Sequence, residues 1–336
     1  MKRVLPYFLP MLITAVFIAS VHYNYFWIGL LLIPFVSLLH YFVGRFSKDG
    51  VIREYSFFHH SEAMAFIKTL NGLFFILFNI WVFFFLKYKE LGLLQLILFI
   101  YSVVILNSNF AVSLAHDLMH SYKKLDRLCS RTILLVNGFF YLESDHLHIH
   151  HRYVGTELDP ASARYNENIY SYLLRSISQR VLITFGAVSR FPKKEKQKIV
   201  RGNLVRLAIC VAFAGTAFWV GQQNFLCVIS QFTFVTLIYE SITYIQHYGL
   251  RRKTKLQSIE DVQFNHAWNC YYRLSAYFYF MMPVHSIHHL RKEPNLQSIR
   301  NAGPSFPRPF GQMAILAWFP PIWFRLMNNQ IQKEIP

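Results

Sequence analysis

Long apolar runs separated by short polar breaks set the pattern of this chain. No Asp, Glu, Lys or Arg occurs from Val4 to Gly44. A transmembrane helix needs about 20 mostly apolar residues. That stretch therefore predicts two helices, over 4–21 and 25–44, with His22-Tyr23-Asn24 as the turn between them. A charge-free run from Thr69 to Leu86 predicts a third over 69–86, and one from Leu91 to His116 a fourth over 91–115. The last run, Leu207 to Tyr239, is broken by Gly221-Gln222-Gln223-Asn224 and predicts two more, over 203–220 and 225–244. The expected architecture is all-α: a polytopic membrane helical bundle of about six transmembrane helices, with 1–336 as one integral-membrane domain. The portions 117–202 and 247–336 are too polar to span. Short apolar pieces within them, Thr132–Leu142 and Met313–Trp323, read as interfacial or re-entrant.

Composition agrees. Of 336 residues, 54% are hydrophobic and 15% charged, against about 25% charged in ordinary soluble domains, which argues against a soluble enzyme. The net charge is +17. Six spans put both termini on one side, and that side receives 32 of the 34 basic residues; the other receives Lys87 and Lys89. Positive-inside bias places the basic side in the cytoplasm, so the charge points to a membrane surface before nucleic acid. Lys2-Arg3 and the apolar run to Ala19-Ser20 outline a signal peptide, but the apolar character continues directly into the second span. The four cysteines form no Cys-x-x-Cys pair, so no disulfide framework or thiolate cluster is implied. Lys193 to Lys198 reads as a headgroup-facing helix start.

Fifteen histidines carry the candidate chemistry. His22, His40, His59 and His60 follow no ligand spacing and read as structural or interfacial. The other 11 lie between 116 and 289, at or beyond the cytoplasmic ends of predicted spans. His116 and His120 are four apart; His146, His150 and His151 form H-x-x-x-H-H; His285, His288 and His289 form H-x-x-H-H. A helix brings i, i+3 and i+4 onto one face, so each cluster presents two or three imidazoles toward a common centre. Eight or more imidazoles exceed the roughly four to six ligands of one ion, which implies two metal ions. Imidazole suits Fe, Zn, Cu and Ni. His148 is out of helical phase with His146 and His150, which places it beside the site or at the surface.

Larger motifs surround these clusters: His-Asp-Leu-Met-His (116–120), Asp-His-Leu-His-Ile-His-His-Arg-Tyr-Val (145–154) and Asp-Pro-Ala-Ser-Ala-Arg (159–164). Tyr-Ile-Gln-His-Tyr-Gly-Leu (244–250), His-Ala-Trp-Asn (266–269), His-Ser-Ile-His-His (285–289) and Phe-Pro-Pro-Ile-Trp (319–323) follow. In this order, across about half the chain, they resemble the integral-membrane di-iron alkane and xylene monooxygenases of the membrane fatty-acid desaturase/hydroxylase superfamily. The histidine clusters would fit any branch; the 159–164 and His-Tyr-Gly-Leu segments point to the alkane-monooxygenase branch.

The resemblance implies a cytoplasmic histidine-rich cap holding two iron ions in a non-haem di-iron centre. Its ligands would be His116, His120, His146, His150, His151, His247, His285, His288 and His289. It implies an alkane 1-monooxygenase-like oxidoreductase that inserts one oxygen atom of O2 into a C–H bond of an apolar alkane, alkyl-arene or similar chain. The expected location is a bacterial inner (cytoplasmic) membrane, with both termini cytoplasmic by the loop-charge bias. Electrons would come from an acidic rubredoxin- or ferredoxin-like donor with its reductase. The chain itself has no Rossmann glycine fingerprint and no Cys-rich iron–sulfur pattern. The alternatives are a fatty acyl lipid desaturase or hydroxylase with the same centre, and a non-oxygenase histidine-rich metal-binding membrane protein.

Asp117 and Asp145 stand where the family has Glu, Ile149 where it has Gly, Gln246 where it has Glu, and Ile287 where it has an acid. Every ligand position is kept. Asp117, Asp145, Asp159 and Glu240 are the acids nearest the clusters, with His266 beside them; such groups orient ligating rings. For Asp159 a turn before Pro160 is an equal reading. Arg152 and Arg164 would meet lipid phosphate or the donor. Trp81 and Phe83 to Phe85 read as lipid-facing before cavity-lining.

Overall fold

The computed structural model describes residues 3–186, 193–255, 258–290 and 303–335. Lys2 and the parts of the expected polar portions at 187–192, 256–257, 291–302 and 336 lie outside the described residues. The described chain is helical apart from isolated bridges and one small hairpin, Thr254–Lys255 paired with Ser258–Ile259. Among the described residues, five helices are long and apolar enough to cross a membrane: Leu5–His22, Glu62–Tyr88, Leu93–Leu118, Lys193–Val220 and Gln222–His247. They overlap five of the six expected spans. The remaining one, Ile28–Val43, is a 16-residue helix with Pro34 inside it. At 1.5 Å per residue it reaches about 24 Å, under a hydrocarbon core of about 30 Å, yet it returns the chain to the end that holds the segment before His285, where the Phe46 amide donates to the Tyr271 carbonyl at 2.8 Å. Two other helices overrun their charge-free cores. Glu62–Tyr88 takes in Lys68, and Lys193–Val220 starts in the basic run. Charge marks where apolar surface ends, while backbone hydrogen bonding continues through it.

The polar portions fold as helices laid against this bundle. Lys48–His60 is capped by Ser47, whose Oγ accepts from the Gly50 amide at 3.1 Å, the usual way of satisfying a first-turn donor. Lys124–Val136 packs on Glu62–Tyr88 and contains the start of the expected 132–142 piece. Ile169–Thr184 is capped by Asn168 in the same manner. The 313–323 piece divides into Phe310–Ala317 and Pro320–Glu334. The break falls just before Pro320-Pro321, because a proline at a helix start loses no hydrogen bond. Trp81 and Phe85 stack at 5.1 Å, and Phe85 stacks on Phe99 at 5.2 Å, inside the bundle; Phe84 faces out.

Two spanning helices contain π turns, at Asn107–Ala111 and Gln231–Val235. The turns are tied together, Asn107 Nδ2 donating to Gln231 Oε1 at 3.2 Å. Asn79 and Asn107 also exchange amide hydrogen bonds at 2.9 and 3.2 Å. A π turn adds one residue and rotates everything beyond it by about 100°. Here it re-aims the helix ends that carry His116 and His247.

Candidate metal centre

Four elements deliver nine histidines to one place. His116 and His120 lie at the end of the Leu93–Leu118 helix, and His247 ends Gln222–His247. His285, His288 and His289 come from the short helix His285–Leu290. The rest lie on segment 142–153, whose middle, His146–His150, is a third π turn. That turn sets the His146 ring 5.3 Å from His150 and 4.5 Å from His151.

The rings form two groups. In His116, His120, His146 and His288, the possible ligand atoms all lie within 4.8 Å of one another; the same holds for His150, His247, His285 and His289. His151 stands between the groups, its ring 4.8 Å from both His288 and His289. The Nε2 of His146 is 3.0 Å from that of His120, 2.9 Å from that of His151 and 3.3 Å from that of His288. One ring nitrogen carries a single proton or a single lone pair, so it cannot satisfy three such neighbours. A cation that takes one lone pair from each ring can. His285 is placed likewise, its Nε2 3.1 Å from that of His247 and 3.0 Å from that of His289. Burial and the neighbouring rings hold His146, His285, His288 and His289 well below the usual histidine range. Those shifts favour the neutral form of these four rings, the form a metal ligand needs, and the donor set fits divalent Fe, Zn, Cu or Ni.

Neighbouring groups fix which ring nitrogen points inward. His150 Nδ1 donates to Asp159 Oδ2 at 2.9 Å. The same oxygen accepts from Ser162 Oγ at 2.6 Å, while Oδ1 accepts from the Ala161 amide at 3.1 Å. Asp159 is thus both ring partner and turn residue. Burial would raise its carboxyl, but the His150 ring and these hydrogen bonds outweigh it and lower it to about 2. His247 Nδ1 faces the His266 carbonyl at 3.4 Å. The His266 ring turns elsewhere and accepts from the Gln263 amide at 2.9 Å. Asp117 pairs with Lys68 at 3.0 Å and His59 at 3.6 Å. Asp145 and Glu240 both pair with Arg180, at 3.1 and 3.3 Å. His148 lies 4.0 Å from Glu195 with its side chain 46% exposed. Arg180 is not among the sequence-predicted site residues; it sits in the portion 117–202 that reads only as too polar to span. The available signal was the need of two acids for a cation once buried.

The motif segments bond to one another. The Gly249 amide donates to the Ala163 carbonyl at 3.2 Å, and the Trp268 amide to the Gln246 carbonyl at 2.8 Å. Asn269 Oδ1 accepts from the Ser286 amide and hydroxyl at 3.0 and 2.9 Å.

A cavity of about 250 Å³ lies between the helices, its walls including Leu106, Phe110, Ile242, Phe278, Ala314 and Ile315. Its polar residues are engaged with protein: His40 Nε2 lies 2.8 Å from Ser275 Oγ, and Gln312 Oε1 accepts from Tyr41 OH at 3.0 Å. Tyr279 OH donates to Asn109 Oδ1 at 2.8 Å, and Ser241 Oγ donates to the Leu237 carbonyl at 2.7 Å. Phe110 precedes His116 by six residues and Ile242 precedes His247 by five, which places the near end of the cavity about 8–9 Å along the helix axes from these histidines.

The profile of the fatty acid desaturase family matches residues 91–293, which hold all nine clustered histidines. The chain is 29% identical to alkane 1-monooxygenase 2 of Alcanivorax borkumensis over 249 residues, 72% of this chain and 65% of that one. It is 26% identical to the alkane 1-monooxygenase of Acinetobacter baylyi over 267 residues, 75% and 64% of the two chains. To the xylene/toluene monooxygenase hydroxylase component of Pseudomonas putida it is 25% identical over 226 residues, 63% and 58%. The alignments span just under two thirds of the first two relatives' length.

Proposed function

The chain belongs to the fatty acid desaturase family, and from that premise we propose that it is a non-haem di-iron membrane monooxygenase acting on C–H bonds of apolar chains. The observation that carries this reading is the abutment of two four-histidine groups at the ends of membrane-length helices, above an apolar cavity. When bound, two iron ions supply the O2-dependent oxidising power that no side chain has. The chain's own residues do the rest. Nine imidazoles would hold the ions, with the His151 ring standing between the two groups. Asp159 and the His266 carbonyl keep His150 and His247 in the tautomer whose Nε2 lone pair faces inward. The cavity walls align an alkane, alkyl-arene or similar chain below the site and keep water from it. An apolar substrate dissolved in the bilayer enters between helices without crossing the aqueous phase.

Electrons come from a separate acidic donor of rubredoxin or ferredoxin type with its reductase, drawn to the basic face. That face holds most of the chain's lysines and arginines and is cytoplasmic by the positive-inside rule, in a bacterial inner membrane. Reporter fusions at Asn24 and Gln222 are expected outside the cytoplasm; a cytoplasmic signal at either site contradicts this orientation.

Purified protein is expected to hold close to two irons per chain. With a donor system it is expected to convert members of a panel of alkanes, alkyl-arenes and fatty acyl lipids to alcohols. Zinc as the sole bound metal overturns the oxygenase reading. An alkene as the only product replaces hydroxylation with desaturation at the same centre.

A further inference from the structure

Helix Ile169–Thr184 brings none of the nine histidines, yet it buries a whole arginine beside them. Arg180 is 1% exposed, and the acids it meets, Asp145 and Glu240, are 2% and 0% exposed. Its Nη1 lies 3.1 Å from Asp145 Oδ2 and 3.3 Å from Glu240 Oε1. From the same helix, Tyr172 OH and Ser176 Oγ donate to Glu240 Oε2 at 3.3 and 2.9 Å. Asp145 immediately precedes His146. Glu240 precedes His247 by seven residues, two turns along one helix face. The arginine therefore joins the segment bearing His146, His150 and His151 to the helix bearing His247. Where these two elements meet, the His150 and His247 rings are 4.8 Å apart. Remove the guanidinium, and two buried carboxylates are left without a cation, a strongly unfavourable arrangement. Their repulsion acts between the two elements that must stay together.

We propose that Arg180 is a positioning residue for the candidate metal centre, clamping Asp145 and Glu240 so that His150 and His247 share one ion. This role rests on the metal reading above. The two histidine groups depend on the clamp unequally. The group of His150, His247, His285 and His289 draws on both clamped elements. The group of His116, His120, His146 and His288 draws on only one of them. Loss of Arg180 therefore weakens the first group selectively, whereas a general loss of packing would weaken both.

The test is a Co(II) titration of the full chain, metal-stripped in detergent, read by visible absorption and bound cobalt per chain. The unaltered chain is expected to bind two Co(II). Arg180→Met, which keeps the apolar stem, is expected to retain one tight site and to weaken the other by about 10–100-fold, the usual effect of losing a group that orients ligands. At low cobalt its spectrum is expected to match that of His247→Ala. A variant combining Asp145→Asn, Arg180→Met and Glu240→Gln removes the repulsion and guards against misfolding; its second site is also expected to be weak. Unchanged affinity in either Arg180 variant, or equal weakening of both sites, overturns the clamp. An unaltered, folded chain that binds no cobalt instead overturns the metal reading on which the clamp rests.

Discussion

His150 and Asp159 meet across 2.9 Å, ring Nδ1 to carboxylate oxygen, with both side chains buried. The contact leaves the opposite ring nitrogen with its lone pair directed at the neighbouring histidines. Asp159→Ala removes the acceptor of His150, Ser162 and the Ala161 amide together. Each buried donor left without a partner costs about 1–3 kcal/mol. Asp159→Ala is therefore expected to lower both the unfolding midpoint and the iron content. Asp159→Asn keeps an acceptor oxygen and is expected to lose less iron. Metal analysis beside a thermal unfolding curve checks both.

Two histidines only two positions apart should behave oppositely. His150 lies in a four-ring group, whereas His148 points toward Glu195 and solvent. His150→Ala is expected to lose most of the bound iron, and His148→Ala to keep it. Iron per chain, measured on samples of matched helical content, separates the two. Equal loss in both variants would show that the π turn through 146–150 does not aim the rings as described.

That π turn marks the limit of what the sequence discloses. The H-x-x-x-H-H spacing shows that His146, His150 and His151 share a helix face, because the period is set by backbone geometry. It does not show the added residue that brings them side by side. Apolar runs locate five membrane-length helices, since burial in lipid needs length and hydrophobicity alone. They overstate the segment 25–44, where Pro34 and Gly44 leave a helix of 16 residues. His247 enters the candidate set through the resemblance, because one histidine has no spacing to betray it. The ion pairs of Asp117, Asp145 and Glu240 are invisible for a different reason. Their partners Lys68 and Arg180 come from distant parts of the chain, and only packing decides which cation meets which acid.

Gly249 explains part of the His-Tyr-Gly-Leu segment. Its φ is +72°, and a Cβ placed there would lie 2.5 Å from Ile331 Cδ1. A left-handed backbone costs a residue with a side chain about 1–2 kcal/mol, and Ile331 must also move. Gly249→Ala is expected to destabilise the fold and, two residues beyond His247, to lower metal occupancy. Gly215 provides the contrast, since a Cβ there meets nothing within 4 Å and the residue lies inside the helix Lys193–Val220. Gly215→Ala is expected to be neutral or stabilising by up to about 1 kcal/mol. Paired unfolding midpoints give the sign of each.

On the proposed function, the cavity is expected to select substrate by its volume, because its polar residues are already engaged with protein. Ala314 lies on its wall, on the helix Phe310–Ala317, which packs against the helix ending in His247. Ala314→Phe fills space at this wall of the cavity and alters no candidate ligand. Iron content is therefore expected to stay unchanged, while turnover shifts toward shorter or narrower chains. The size of the shift follows from apolar burial: each methylene that no longer fits forfeits about 0.8 kcal/mol, roughly a fourfold loss of affinity per carbon excluded. Competition between short and long chains in one reaction, read as a product ratio, measures this without absolute rates. An unchanged ratio at unchanged iron content would place the substrate path elsewhere in the bundle.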